Sequence, residues 1–162
     1  MIYTASLEDI EEIQQIAHRI WPISYKDIIS SQQIEFMLDK MYGVDSLKKQ
    51  MQDEGCEFLL IKPNERSVGF ACYGRNQQGI WRLHKLYVEV DQHGKGLGKQ
   101  LLQEVCRRVV ARGGNELELN VNKYNPALNF YKANGFVLRR EEVLDIGNNF
   151  VMDDFVLVKS LG

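Results

Sequence analysis

Cysteine is scarce: Cys56, Cys72 and Cys106 are the only three, widely spaced, with no Cys-x-x-Cys pair and no metal-ligand spacing. That excludes a disulfide-stapled scaffold and a zinc-finger pattern, so no metal is expected and reduced thiols in a cytoplasmic protein are the natural inference. Long hydrophobic runs are also missing. No stretch approaches the roughly 18 apolar residues a membrane helix needs, and Met1 to Ser6 lacks a basic region leading into an apolar one, so neither membrane spanning nor secretion is expected. An excess of positive charge is absent too: 20 Lys and Arg against 22 Asp and Glu give a net charge of −2. A nucleic-acid surface would need a basic stripe, so no nucleic-acid partner is expected, whereas a small cationic substrate is compatible with this balance. Repeats and low-complexity tracts are lacking as well.

What is present suits one soluble globular domain. The chain has 162 residues, 44% hydrophobic and 26% charged, enough to bury a core without disulfides or metal. Residues 2–4 read as a short strand, and Ser6-Leu7-Glu8-Asp9 resembles a capping box opening a helix with Ile10, Ile13, Ile16, Ala17 and Ile20 on one face. Pro22 is expected to end that helix. Trp21 to Tyr42, dense in aromatics, reads as a loop and a second helix, and residues 44–52 as a third, stopped at Gly55. Apolar runs at 57–62 and 67–75, joined by a turn at 63–66, form a hairpin. Gln77-Gln78-Gly79 turns the chain into a third antiparallel strand, 80–90. Later come a strand at 116–121, a short helix from Asn125-Pro126-Ala127 to Ala133, and a hairpin of 137–144 and 150–158 around a turn at 145–149.

The most informative stretch lies at 87–112. Val88 and Val90 close the third strand, Gly94, Gly96 and Gly98 follow at every second position, and Leu97, Leu101, Leu102, Val105, Cys106, Val109 and Val110 then share one helical face. Strand, glycine loop and helix place unsatisfied amides and a dipole's positive end where no side chain intervenes. Such a terminus suits a phosphate or pyrophosphate, with Lys95 and Lys99 adding charge. The spacing Gly94-x-Gly96-x-Gly98 misses the dinucleotide fingerprint Gly-x-Gly-x-x-Gly by one residue. A P-loop fails twice: only three residues separate Gly94 from Gly98, and Gln100 stands where a metal-binding hydroxyl is required.

His93-Gly94-Lys95-Gly96-Leu97-Gly98 resembles the signature of the GCN5-related N-acetyltransferases (GNAT), Gln/Arg-x-x-Gly-x-Gly/Ala after a long strand, with His93 in place of the usual first residue. The likeness continues in Asn125-x-Ala127-x-x-x-Tyr131-x-x-x-Gly135-Phe136, and Trp21 to Tyr42 and Asp145 to Phe155 look like a bacterial subgroup that includes polyamine acetyltransferases. The resemblance implies an α/β fold: a single domain with a mixed, mostly antiparallel sheet, a central splayed parallel strand pair and flanking helices. It implies acetyl-CoA as co-substrate and direct transfer of acetyl to a primary amine of a small molecule. A protein N-terminus or lysine is the second acceptor class. A CoA-binding regulatory protein without turnover is the rival from another class, and the resemblance leaves room for a homodimer.

The same resemblance distributes roles. Residues 93–99 (His93, Gly94, Lys95, Gly96, Leu97, Gly98, Lys99) and Asn125 would hold the coenzyme, and main-chain groups of Leu86, Tyr87 and Val88 would contact the thioester and pantetheine. Tyr131 is the expected general acid: a phenol stays protonated at neutral pH and can donate to a departing thiolate. Its other reading is an aromatic filling the core. His84, with an imidazole pKa near 6.5, is the leading candidate for the amine's proton acceptor, and it can equally be structural. Tyr25, Asp27 and Glu89 are acceptor-side candidates, and Asp153-Asp154 could draw a cationic acceptor or simply be solvated.

Overall fold

The computed structural model describes all 162 residues. Five α-helices and seven strands occur in the order β1 (Ile2–Thr4), α1 (Ile10–Ser24), α2 (Ser31–Tyr42), α3 (Val44–Gln52), β2 (Glu57–Ile61), β3 (Gly69–Arg75), β4 (Trp81–Val88), α4 (Leu97–Ala111), β5 (Glu116–Asn122), α5 (Ala127–Ala133), β6 (Val137–Gly147) and β7 (Phe150–Ser160). They build one seven-stranded sheet in the order β1-β2-β3-β4-β5-β7-β6. All neighbours are antiparallel except β4 and β5. That pair is parallel because α4 crosses over between its strands. No helix is long and apolar enough to cross a membrane.

The sheet divides two cores of similar size. Leu97, Leu101, Leu102, Val105 and Val109 of α4 pack with Leu83, Leu117 and Leu119 on one face. Ile13, Ile16, Ile20 and Trp21 of α1 pack with Phe58, Leu60 and Phe70 on the other. Burial on both faces explains why β2 and β3 read as unbroken apolar runs rather than alternating ones. Each fully buried aliphatic side chain contributes about 1.5–3 kcal/mol, so the five α4 residues fix that helix, and with it the loop at its start.

Among the boundaries that differ from expectation, three have a plain physical cause. Pro22 lies inside α1, which runs on to Ser24, with Tyr25 N–H bonding the Trp21 carbonyl. A proline removes one hydrogen bond, but buried Trp21 and Tyr25 stack with centroids 4.3 Å apart across the site, and that packing keeps the last turn. β4 stops at Val88, and residues 90–92 form a short 3-10 turn with Val90 exposed. The last hairpin is longer than the turn residues suggest: Asn148 and Asn149, at φ 54° and 62°, form a two-residue type I′ connection, and pairing reaches Gly147 with Phe150.

Candidate active site

The β4–β5 ladder has only two paired positions, Arg82 with Glu118 and Leu83 with Leu119. Beyond them the strands part, because β4 carries a bulge: Cys72 pairs with Lys85 and Tyr73 with Leu83, leaving His84 extra. Glu89 N–H bonds the Val68 carbonyl. By alternation, Val88's own N–H and C=O face away from β3, into the fork. The carbonyl is taken by the His93 ring, whose Nε2 donates to it at 2.8 Å. His93 therefore ties the loop back to the strand end while the Val88 N–H faces the opening.

Next to the fork, the chain enters α4 through Gly94 and Gly96, at φ 83° and 75°. Gly96 is the N-cap, and no side chain caps the helix. A Cβ built on Gly94 or Gly96 would meet nothing within 4 Å. Backbone conformation, not crowding by the protein, requires glycine at these two positions, and the surface above their amides is open. Gly98 is different: its missing Cβ faces Phe130 of α5 at 3.6 Å and Val88 at 3.9 Å, so it sits where helix, strand and α5 converge. Leu97 is buried and anchors the first turn, whereas Lys95 and Lys99 are exposed. Lys95 Nζ donates to Gln92 at 3.0 Å.

Aromatic hydroxyls gather around the fork. The Tyr25 and Tyr87 hydroxyls lie 3.0 Å apart, and Asn125 Nδ2 reaches Tyr25 Oη at 3.5 Å. Asn125 also accepts the Ala127 N–H through Oδ1 at 2.9 Å, so it closes the turn that leads into α5 while its Nδ2 faces the cluster. Tyr131, 8% exposed, packs edge-on between Phe130 and Phe136. Burial raises the pKa of all three phenols, and Tyr25 adds to the shift at Tyr131. They remain proton donors at neutral pH.

Tyr131 feels the charge of Tyr25, and Tyr25, Tyr87 and Asn125 are brought together by hydrogen bonds from three separate segments. His84, Asp27 and Glu89 are not. The bulge leaves His84 exposed, and its ring is a hydrogen-bond neighbour of Cys56. Asp27 is exposed on the turn after α1. Glu89 is buried, but Arg19 and Arg66 hold it from both sides, the latter at 2.6 Å, as a fastening between α1 and the β2–β3 connection. Leu86 packs into the α4-side core. One grouping had no signal in sequence spacing: Cys56 and Cys72 lie side by side, and the thiol of Cys56 is lowered to about 4 by hydrogen bonds from Cys72 and His84 and by the charge of Lys85, against the burial that opposes them.

The splayed parallel pair, the glycine-entered helix terminus and the paired phenols thus lie in one region of the fold. A family model described as an acetyltransferase (GNAT) domain matches residues 25–152. The chain belongs to the GNAT family and is an acyltransferase. Over 153 residues it is 26% identical to spermidine N(1)-acetyltransferase of Thermoplasma acidophilum, covering 91% of this chain and 92% of that one. An uncharacterized N-acetyltransferase of Mycobacterium tuberculosis is 24% identical over 156 residues, covering 96% and 99%. Among solved structures, a PaiA N-acetyltransferase from Thermoplasma acidophilum in complex with coenzyme A superposes with a TM-score of 0.83 at 25% identity, over 99% of this chain and 98% of that one. The fold is shared with the ribosomal-protein-S18-alanine N-acetyltransferase of Escherichia coli, at a TM-score of 0.75 and 17% identity over 100% and 94% of the two chains.

Proposed function

We propose that this protein transfers acetyl from acetyl-CoA directly to the primary amine of a small molecule. The observation that carries the reading is the hydrogen-bonded meeting of Tyr25, Tyr87 and Asn125 at the β4–β5 fork, with Tyr131 near enough for the Tyr25 charge to act on it, beside the open amides at the start of α4. The residues fit the coenzyme: uncapped N–H groups of the first α4 turn, with positive-φ glycines before them, suit a diphosphate. Lys95 and Lys99 stand beside the loop, and the coenzyme-bound relative of the same fold supports this assignment.

Acetyl-CoA supplies the activated acyl group as a thioester. The amine lone pair attacks its carbonyl carbon, and the Val88 N–H, fixed by the His93 tie on the same residue's carbonyl, is the donor for the developing oxyanion. As the C–S bond breaks, Tyr131 gives its proton to the sulfur and regains one from the attacking nitrogen. A small acceptor is supported by the closure of the opposite face. Helix α2 lies on the β6–β7 hairpin, with Gln33 Nε2 donating to the Val151 carbonyl at 3.2 Å, Lys40 to the Ile146 carbonyl, and Phe36 against Phe150 at 5.5 Å. A peptide acceptor needs an open groove there. The named activity of the Thermoplasma acidophilum relative makes spermidine the first acceptor to assay. Thiol release from acetyl-CoA should appear with spermidine or another small primary amine; CoA binding with no amine-dependent release would contradict the proposal.

A further inference from the structure

The sequence neighbours Asp153 and Asp154 part company on β7, as alternation on a strand requires. Asp153 is paired with Lys123 at 3.1 Å. Asp154 is 5% exposed, accepts one weak hydrogen bond from Asn120 Nδ2 at 3.3 Å through Oδ2, and leaves Oδ1 buried with no partner. The other buried carboxylates are treated differently. Glu89 has Arg19 and Arg66, and Glu118 has Arg82, Arg139 and Arg140. No cation of the protein reaches Asp154, although a buried unpaired carboxylate costs several kcal/mol.

Its position gives that cost a use. Asp154 pairs with Asn122, the last residue of β5, and with Glu142 of β6. Its charge acts on Tyr25, whose hydroxyl bonds Tyr87 and Asn125. We propose that the Asp154 carboxylate receives the acceptor's ammonium group and takes its first proton, making the neutral amine that attacks. Asp154 is then the general base, and the acceptor is a cation when it enters; this rests on the acetyltransferase reading above. The proton balance closes. The ammonium gives one N–H proton to Asp154, the N–C bond forms, the C–S bond breaks, and the second N–H proton replaces the one Tyr131 has given to sulfur. Asp154 sheds its proton to solvent after product leaves.

The groups that act on Asp154 favour such a base. Burial raises its pKa, and Glu142 from β6 and Asp153 on its own strand raise it further, while the Asn120 hydrogen bond lowers it. Arg82 is spent on Glu118 and on the oxygen of Asn120. Tyr25 is neutral. Because the folded pKa lies above the unfolded one, Asp154 costs the fold stability as pH rises through the folded value.

The test is Asp154→Asn, which keeps shape and removes charge. Its CoA dissociation constant, by calorimetry, should stay within twofold of wild type, and its melting temperature at pH 7 should be at or above wild type. With spermidine, and with butylamine as a simpler primary amine, kcat/KM should fall by about 10²–10⁴, and the acid limb of the wild-type pH profile should vanish. An Asp154→Asn enzyme within twofold of wild type in kcat/KM overturns the assignment alone. A wild type that binds CoA and turns over neither amine overturns the acetyltransferase reading itself, and the assignment with it. A wild type that binds no CoA instead overturns the reading on which the assignment rests.

Discussion

Replacing Tyr131 with phenylalanine removes one hydroxyl and keeps the ring between Phe130 and Phe136, whose centroids lie 5.4 and 5.6 Å from it. Core packing is preserved, so the stability change should stay under about 1 kcal/mol. Loss of a general acid costs about 10²–10⁴ in rate, or roughly 2.7–5.4 kcal/mol of barrier. The two magnitudes differ enough to separate acid from core filler. Steady-state thiol release gives the rate, urea denaturation the stability, and calorimetry the CoA affinity, which should not change. Burial and Tyr25 raise the phenol's pKa. The wild-type rate should therefore not fall through Tyr131 ionisation anywhere below pH of about 10, the unperturbed phenol value. A Tyr131→Phe enzyme with an unchanged rate, or one that loses stability and rate in parallel, would refute the acid role.

Gly96→Val places a β-branched residue at φ 75° with open space around its Cβ. The strain should cost about 1–2 kcal/mol, seen as a modest drop in melting temperature, while CoA affinity falls at least tenfold; retained affinity contradicts the loop assignment. Glu89→Gln should destabilise by about 1–3 kcal/mol in urea, less than a wholly buried pair would lose because Arg19 and Arg66 are half in solvent. Its KM for the amine should not move, and a selective rise in KM would restore Glu89 to the acceptor site. Cys56, lowered to about 4, should be alkylated by iodoacetamide at pH 6 far faster than Cys72, whose thiol burial pushes up. His84→Ala should slow that reaction, and equal rates for the two thiols would remove the Cys56–His84 pairing.

The legible parts of this chain were those governed by local chemistry. The glycine loop and α4 follow from residues 87 to 112 because turn, helix terminus and apolar stripe are contiguous there. α3 runs from Val44 to Gln52 as its pattern implies. Pro22 misled because the stacking of Trp21 on Tyr25, aided by Tyr87 beneath, outweighs one lost hydrogen bond. His84 lies outside the tyrosine cluster for a long-range reason. A bulge depends on pairing with β3, and one extra residue decides which way an imidazole faces. Asp154 was visible only as half of an acidic pair, since strand alternation separates it from Asp153 but does not reveal that no arginine arrives. The insertion of β7 between β5 and β6, which brings Asp154 opposite Asn122, has no local signature.

The proposed chemistry depends on the backbone amides at the start of α4 holding the coenzyme at the β4–β5 fork. Amide chemical shifts recorded during titration with CoA report on this contact residue by residue. The largest changes should fall at residues 94–99, with smaller ones at 86–88. Shifts centred elsewhere, for example in the concavity between α1 and α2 lined by Gln14, His18 and Glu35, or no shifts at saturating CoA, would contradict it.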